Sequence, residues 1–320
     1  MGNVGILLLL ATSLSGAGKN LQKLAASSDG RVGVCALDLA EAEPVCVNGD
    51  QRFPLQSVMK LVVAAAVLDA VDHGQLRLSD PIVVRPGDIS PGPEEFPTQV
   101  RRAGKVTTTV GDLMRRALVD SDSTSADVLT ARLGGIAAVQ GFLTRKHSEG
   151  LRIDRDERHL QAESVGLVWQ PADSDLDQFE AAVKALPPKT HTAAAGAYLQ
   201  DPRDTATPRG MVDFLKSLAS GKLLSPASTQ KLLGVIATTA TGTDRLKAGV
   251  PKGWKLAHKT GTGRVWQGVR SATNDVGLLT APDGRRIAVA VFVSGSKRPD
   301  ADQAAVIANV ARIVTGVRGR

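Results

Sequence analysis

The sequence predicts a mixed α/β (α+β) fold: one antiparallel sheet flanked by helices and built from both chain ends, with an all-helical domain inserted between them. Three observations carry this. A strand-like run, Arg31-Val-Gly-Val-Cys-Ala-Leu-Asp-Leu39, lies near the start, and residues 254–259, 275–280 and 287–293 read as strands near the end. Between them the apolar spacing is helical. Strands from the two ends complete one layer, and a cleft is expected where the insertion meets it. The expected division is a leader over 1–18, an α/β domain over 19–61 plus 209–320, and a helical domain over 62–208.

The elements follow in order. Ile6-Leu-Leu-Leu-Leu10-Ala11 is a short apolar core followed by small residues, as in a secretory signal peptide, and too short to span a bilayer. No Lys or Arg precedes it, and no Cys follows it that would take a lipid. The expected location is periplasmic or secreted. A short helix over 19–26 leads into the first strand. Cys35 and Cys46 flank Leu39-Ala-Glu-Ala-Glu-Pro44, a hairpin connection. Pairing positions whose numbers sum to 81 sets the two cysteines opposite each other, either as a bridge or as two buried thiols.

Residues 57–71 hold Leu61-Val-Val-Ala-Ala-Ala-Val-Leu68, apolar on every side and therefore a core helix. Residues 80–105 contain five Pro and three Gly and read as surface loop. Thr109 with Asp112 three residues on is an N-cap, and Val110, Leu113, Met114, Ala117 and Leu118 follow helical spacing. A further helix runs from about 124 to Gly134-Gly135. Ala281-Pro-Asp-Gly284 suits a tight turn between the last two strands. Ile307, Val310, Ala311 and Val314 share one face of a closing helix over 304–314.

With 320 residues and 42% hydrophobic residues the chain can bury a substantial core. Aromatic residues are only 3%, too few for stacking platforms, and the net charge of +7 is scattered rather than clustered. Nucleic acid is therefore excluded as a partner. His73, His147, His159, His191 and His258 show no metal-ligand spacing, so no metal and no cofactor is expected.

Four separated motifs carry chemistry. Ser57-Val-Met-Lys60 opens the core helix, where Ser57 meets free backbone N–H groups and Lys60 shares its face one turn on. A lysine in an apolar core is costly unless paired or neutralised, and a neutral amine there can accept the serine proton. Ser-x-x-Lys recurs at Ser228-Thr-Gln-Lys231 and Ser294-Gly-Ser-Lys297, which read as chance. The others are Ser121-Asp122-Ser123, Arg155-Asp-Glu157-Arg-His-Leu160-Gln161 and Lys259-Thr260-Gly261-Thr262-Gly263. Each alone has a bland reading: a helix cap, a charged loop, a strand edge.

As an ordered set they resemble the class A serine β-lactamases and their relatives, over nearly everything after residue 20. The resemblance implies a Ser57 nucleophile, a Ser121 proton relay and a Glu157 base that activates water. It implies an oxyanion hole at the Thr262 and Ser57 N–H groups, each such donor worth about 10²–10³ in rate. Lys259, Thr260 and Arg245 would meet the substrate carboxylate, with Gly261 allowing close approach to the backbone. Whether Lys60 or Glu157 deprotonates Ser57 stays open. Ser123 stands where the family has Asn at the substrate amide, Gln161 where Asn helps hold the water, and Arg158 where Pro is usual.

Asp204, in Asp201-Pro-Arg-Asp204, would pair with Arg155 across the neck of the loop. The 164–198 stretch, with a helix-like 176–186, reads as an insertion over the cleft rim. The implied activity is hydrolysis of a β-lactam by a monomer with no stable membrane insertion. The alternatives are a related hydrolase of peptidoglycan peptides or esters, and a catalytically weak envelope-binding protein.

Overall fold

The computed structural model describes residues 14–92 and 95–316. The first thirteen residues of the expected leader lie outside these. Its last five lead into and open the first helix, α1 (Ala17–Ser27), where Leu14 and Ala17 are buried. Strands β1 (Arg31–Asp38) and β2 (Val45–Val47) then pair with Cys35 opposite Cys46, joined as a disulfide. The bridge, not the pair of thiols, is what forms.

Strand β3 (Phe53–Pro54) leads through a single 3₁₀ turn, Gln56–Val58, into α2 (Met59–Asp72). Ser57 therefore stands on the turn before the helix rather than as its first residue. Nearly all of α2 is buried, Lys60 included, as its all-round apolar sequence requires.

The expected surface loop at 80–105 is ordered instead. Strand β4 (Pro81–Val84) pairs with β5 (Val106–Thr109) around α3 (Glu95–Ala103). The prolines misled because they occupy permitted places: Pro81 starts an edge strand, and Pro97 sits in a first helical turn whose N–H groups are free in any case. Thr109 caps α4 (Val110–Arg115) by accepting the N–H of Asp112, and Asp122 caps α5 (Ser123–Arg132). Helix α6 (Ile136–Arg145) and strand β6 (Leu151–Arg152) follow.

The loop bearing Glu157 is helical: α7 (Glu157–Val165), then α8 (Leu176–Ala185) and α9 (Pro188–Gln200). Ala162, Val165, Phe179 and Val183 form a small separate core that docks the insertion on α7. Strand β7 (Thr205–Ala206) pairs with both β3 and β6 and returns the chain to the sheet domain through α10 (Pro208–Ala219) and α11 (Pro226–Ile236). A short α12 (Leu246–Gly249) precedes β8 (Lys255–Thr262), the hairpin β9 (Val265–Trp266) and β10 (Val269–Arg270), β11 (Thr273–Thr280), β12 (Arg286–Ser294) and α13 (Asp300–Thr315).

The main sheet runs β2-β1-β12-β11-β8, antiparallel throughout, from both chain ends as the sequence predicts. Side chains of β12 alternate between two cores. Ile287, Val289, Val291 and Val293 pack with α1 and α13, while Ala288, Ala290 and Phe292 join the large core around α2. A sheet buried on both faces is the middle layer. Its edge strand β8 carries the Lys-Thr-Gly motif beside the Ser57 turn.

Candidate active site

Ser57 is half-buried on its turn and lines a cleft of about 750 Å³ with Ser121, Ser123, Gln161, Thr260, Thr262 and Arg245. All four motifs thus meet at one cavity. The residue before Ser57, Gln56, has φ of 49°, and its amide donates to the hydroxyl of Tyr198 at the end of the insertion. Gly261 matters here for packing: a Cβ would come within 2.5 Å of Leu55 O, in the chain just before Ser57. The expected purpose of that glycine was approach by a ligand. The approach it permits is that of the Ser57 turn itself.

Behind the cleft lies a buried polar cluster. Lys60 is fully buried, with Nζ 3.5 Å from Glu157 Oε1, 3.1 Å from Ser123 Oγ, and donating to the carbonyl of Ser121. Ser123 donates to Glu157 Oε2 at 3.3 Å, and Gln161 donates to the same oxygen at 3.4 Å. The Ser123 hydroxyl, expected at the substrate amide, therefore links Lys60 to Glu157. Glu157 Oε1 is buried with no hydrogen-bond partner among the described residues.

Ser121 adopts a left-handed conformation at the end of the preceding helix, φ 64°, which turns its hydroxyl toward β8. There it accepts from Lys259 Nζ at 2.9 Å. Ser121 thus touches both amines, one through its carbonyl and one through its hydroxyl. Burial, and then the positive charge of Lys60, pull the Lys259 ammonium down to about 7.

Just past the end of β8, Gly263 N–H bonds inward to Ala272 O at 2.8 Å. Antiparallel alternation turns the preceding N–H, that of Thr262, to the open edge. The Arg245 guanidinium donates to Gly261 O, Asn274 O and Thr262 Oγ1 at 3.1, 2.9 and 2.6 Å, fixing it at that edge. Thr260 shares a 2.5 Å hydrogen bond with Thr241.

The neck of the Glu157 loop is closed as the family resemblance implies. Arg155 Nε meets Asp204 Oδ2 at 2.5 Å, and Asp204 Oδ1 accepts the N–H groups of Asp154 and Arg155. Glu163 and Asp201 complete the ring around the guanidinium.

Asp127 was not among the residues expected at the site. It is buried and its two oxygens accept the N–H groups of Glu157 and Arg158. Its position four residues after Ser123, on the same helix face, was the available signal. Helix α8 stands at the cleft rim, where the insertion is expected: Leu176, Asp177 and Glu180 line the cleft, with Asp177 3.9 Å from Arg101 on one side and Glu180 3.4 Å from Arg264 on the other. The two spare Ser-x-x-Lys motifs are structural. Ser228 donates to Asp72 and Ser294 to the Ser271 carbonyl. No group of side chains that could hold a metal ion occurs among the described residues.

A serine on a tight turn at a cleft, backed by two buried amines and a buried carboxylate, is the constellation expected of an acyl-transfer site of the serine hydrolase type. A family model described as the β-lactamase enzyme family matches residues 17–317, and the chain belongs to that family. It is 30% identical over 300 residues to the β-lactamase VEB-1 of Pseudomonas aeruginosa, covering 92% of this chain and 87% of that protein. It is 28% identical to the extended-spectrum β-lactamase PER-1 of Pseudomonas aeruginosa, covering 92% and 84%. Among solved structures, an ancestral class A β-lactamase superposes with a TM-score of 0.76 at 33% identity, covering 94% of this chain and all of that one. A β-lactamase from Chitinophaga pinensis gives 0.75 at 28% identity, covering 93% and 97%. The fold is that of the class A enzymes.

Proposed function

We propose that the chain is an exported, monomeric serine β-lactamase that opens the β-lactam amide through an ester on Ser57. The observation that carries this is the Lys60–Ser123–Glu157 cluster directly behind the wall of the cleft that Ser57 lines.

In this reading Ser57 Oγ attacks the lactam carbonyl carbon, and its proton passes into the cluster, to Lys60 or through water to Glu157. The carbonyl oxygen takes the negative charge between the Ser57 and Thr262 N–H groups. The C–N bond then breaks, and the nitrogen receives a proton through Ser121, whose hydroxyl is already held by Lys259. Water next adds to the ester carbonyl while Glu157 Oε1 takes its proton, and the ester bond returns its electrons and a proton to Ser57. General-base assistance of this kind contributes about 10²–10⁴ in rate. Lys259, Thr260 and Arg245 bind the substrate carboxylate. Export is supported by the Cys35–Cys46 disulfide, which persists in an oxidising compartment. No described helix is long and apolar enough to cross a membrane.

Turnover of a chromogenic cephalosporin by the wild type and by Ser57→Ala tests the proposal. Sustained hydrolysis that the variant loses is the expected result. A single burst without turnover would instead identify a peptidoglycan-directed hydrolase, and no acylation at all an envelope-binding protein.

A further inference from the structure

A second cavity, of about 630 Å³, lies between the insertion and the β9–β10 hairpin, in the size range of about 300–1,000 Å³ usual for small-molecule sites. Val183, Leu186 and Pro188 supply one wall, and Val265 and Trp266 face them. The Trp266 ring stacks on His191 with centroids 4.3 Å apart and planes 14° from parallel, and its indole N–H donates to Thr192 at 3.0 Å. Both ring systems are therefore held flat and in place. Val265, 48% exposed, is one of three large hydrophobic side chains left open to solvent among the described residues.

Charge selects the occupant. Lys184, Arg264 and Lys297 border the cavity, and no Asp or Glu does. Arg264 is occupied by Glu180 at 3.4 Å, whereas neither Lys184 nor Lys297 forms a salt bridge among the described residues. An apolar, aromatic-walled space with two unneutralised ammonium groups at its mouth complements a flat ring bearing one negative charge.

We propose that this cavity is a second binding site, separate from the Ser57 cleft, for a small aromatic carboxylate or sulfonate. The ring lies against Trp266 and the anion faces Lys184 and Lys297. Arg264 is the residue the two cavities share, and occupancy requires no reaction at Ser57.

The probe is 8-anilinonaphthalene-1-sulfonate, titrated into the full-length protein and read by energy transfer from tryptophan. One saturable site per chain is expected, with unchanged affinity in Ser57→Ala. Lys184→Glu combined with Lys297→Glu, both exposed positions, should weaken binding about tenfold or more at unchanged Tm. The neutral analogue N-phenyl-1-naphthylamine should bind about tenfold more weakly than the sulfonate and be indifferent to the charge reversals. Equal affinity in the doubly reversed variant, or uptake that never saturates, overturns the proposal. So does loss of dye binding in Ser57→Ala, because it would place the dye in the catalytic cleft.

Discussion

Asp127, on α5, accepts the backbone N–H of Glu157, the first residue of α7, at 2.7 Å. Its other oxygen takes the N–H of Arg158 at 3.0 Å and the hydroxyl of Ser90 at 2.6 Å. One buried carboxylate thus fixes where the helix bearing the proposed base begins, on an element that also starts with Ser123. The base and its partner are positioned by the same helix.

Burial, then the neighbouring charges of Asp156 and Glu157, raise the Asp127 carboxyl to about 7. The folded protein therefore keeps a proton that the unfolded chain gives up near 3.8. This group's contribution to stability is complete below that lower value and is lost as pH rises to about 7. Asp127→Asn cannot titrate, so its Tm should fall less than that of the wild type between about pH 4 and 7. Parallel Tm profiles for the two proteins would remove Asp127 as the source.

Ser123→Ala should remove the hydroxyl bridge between Lys60 and Glu157 and leave only their direct 3.5 Å contact. Each hydrogen bond to a charged group is worth about 1.5–3 kcal/mol, so kcat/KM on a penicillin should drop by at least about tenfold with the fold intact. Steady-state kinetics beside a melting curve measure both. Activity within twofold of wild type would mean that the link is dispensable.

Lys259 loses its charge above about 7 in the free protein. Because kcat/KM reports ionisations of the free enzyme, this value should decline above about pH 7 for a substrate bearing a carboxylate. Lys259→Arg keeps a cation at every accessible pH. Its profile should lose that limb even if its absolute rate is lower, and a limb that stays in place belongs to another group.

Breaking a buried ion pair by removing one partner costs about 3–5 kcal/mol. Arg155→Ala leaves Asp204, which is fully buried, without its cation. Urea unfolding should show a loss of that order, and deacylation should slow because the Glu157 loop is no longer closed at its neck. A loss under about 1 kcal/mol would show that the backbone hydrogen bonds to Asp204 suffice.

Much of this was legible in the residues because the signals are local or periodic. The two-ended sheet, the all-apolar α2, the Thr109 cap and the cysteine register follow from spacing, and the Arg155–Asp204 pairing from the motif resemblance. What was not legible depends on contacts between distant segments. The α3 region reads as loop because proline is disfavoured in general but tolerated in a first helical turn. Tyr198 gripping Gln56, and Asp127 gripping the start of α7, join residues 142 and 30 positions apart. No local pattern announces either. The insertion likewise reads as a bare extension of the rim, yet it folds around its own core, reaches the neighbour of Ser57 and borders a second cavity.

Intact-protein mass spectrometry of Glu157→Gln after mixing with benzylpenicillin tests the central assignment most directly. An adduct of the mass of the whole drug is expected, persisting for minutes to hours and mapping to the peptide that holds Ser57, while the wild type returns to its native mass. An adduct on another residue, or a variant that clears the drug as fast as the wild type, would contradict it.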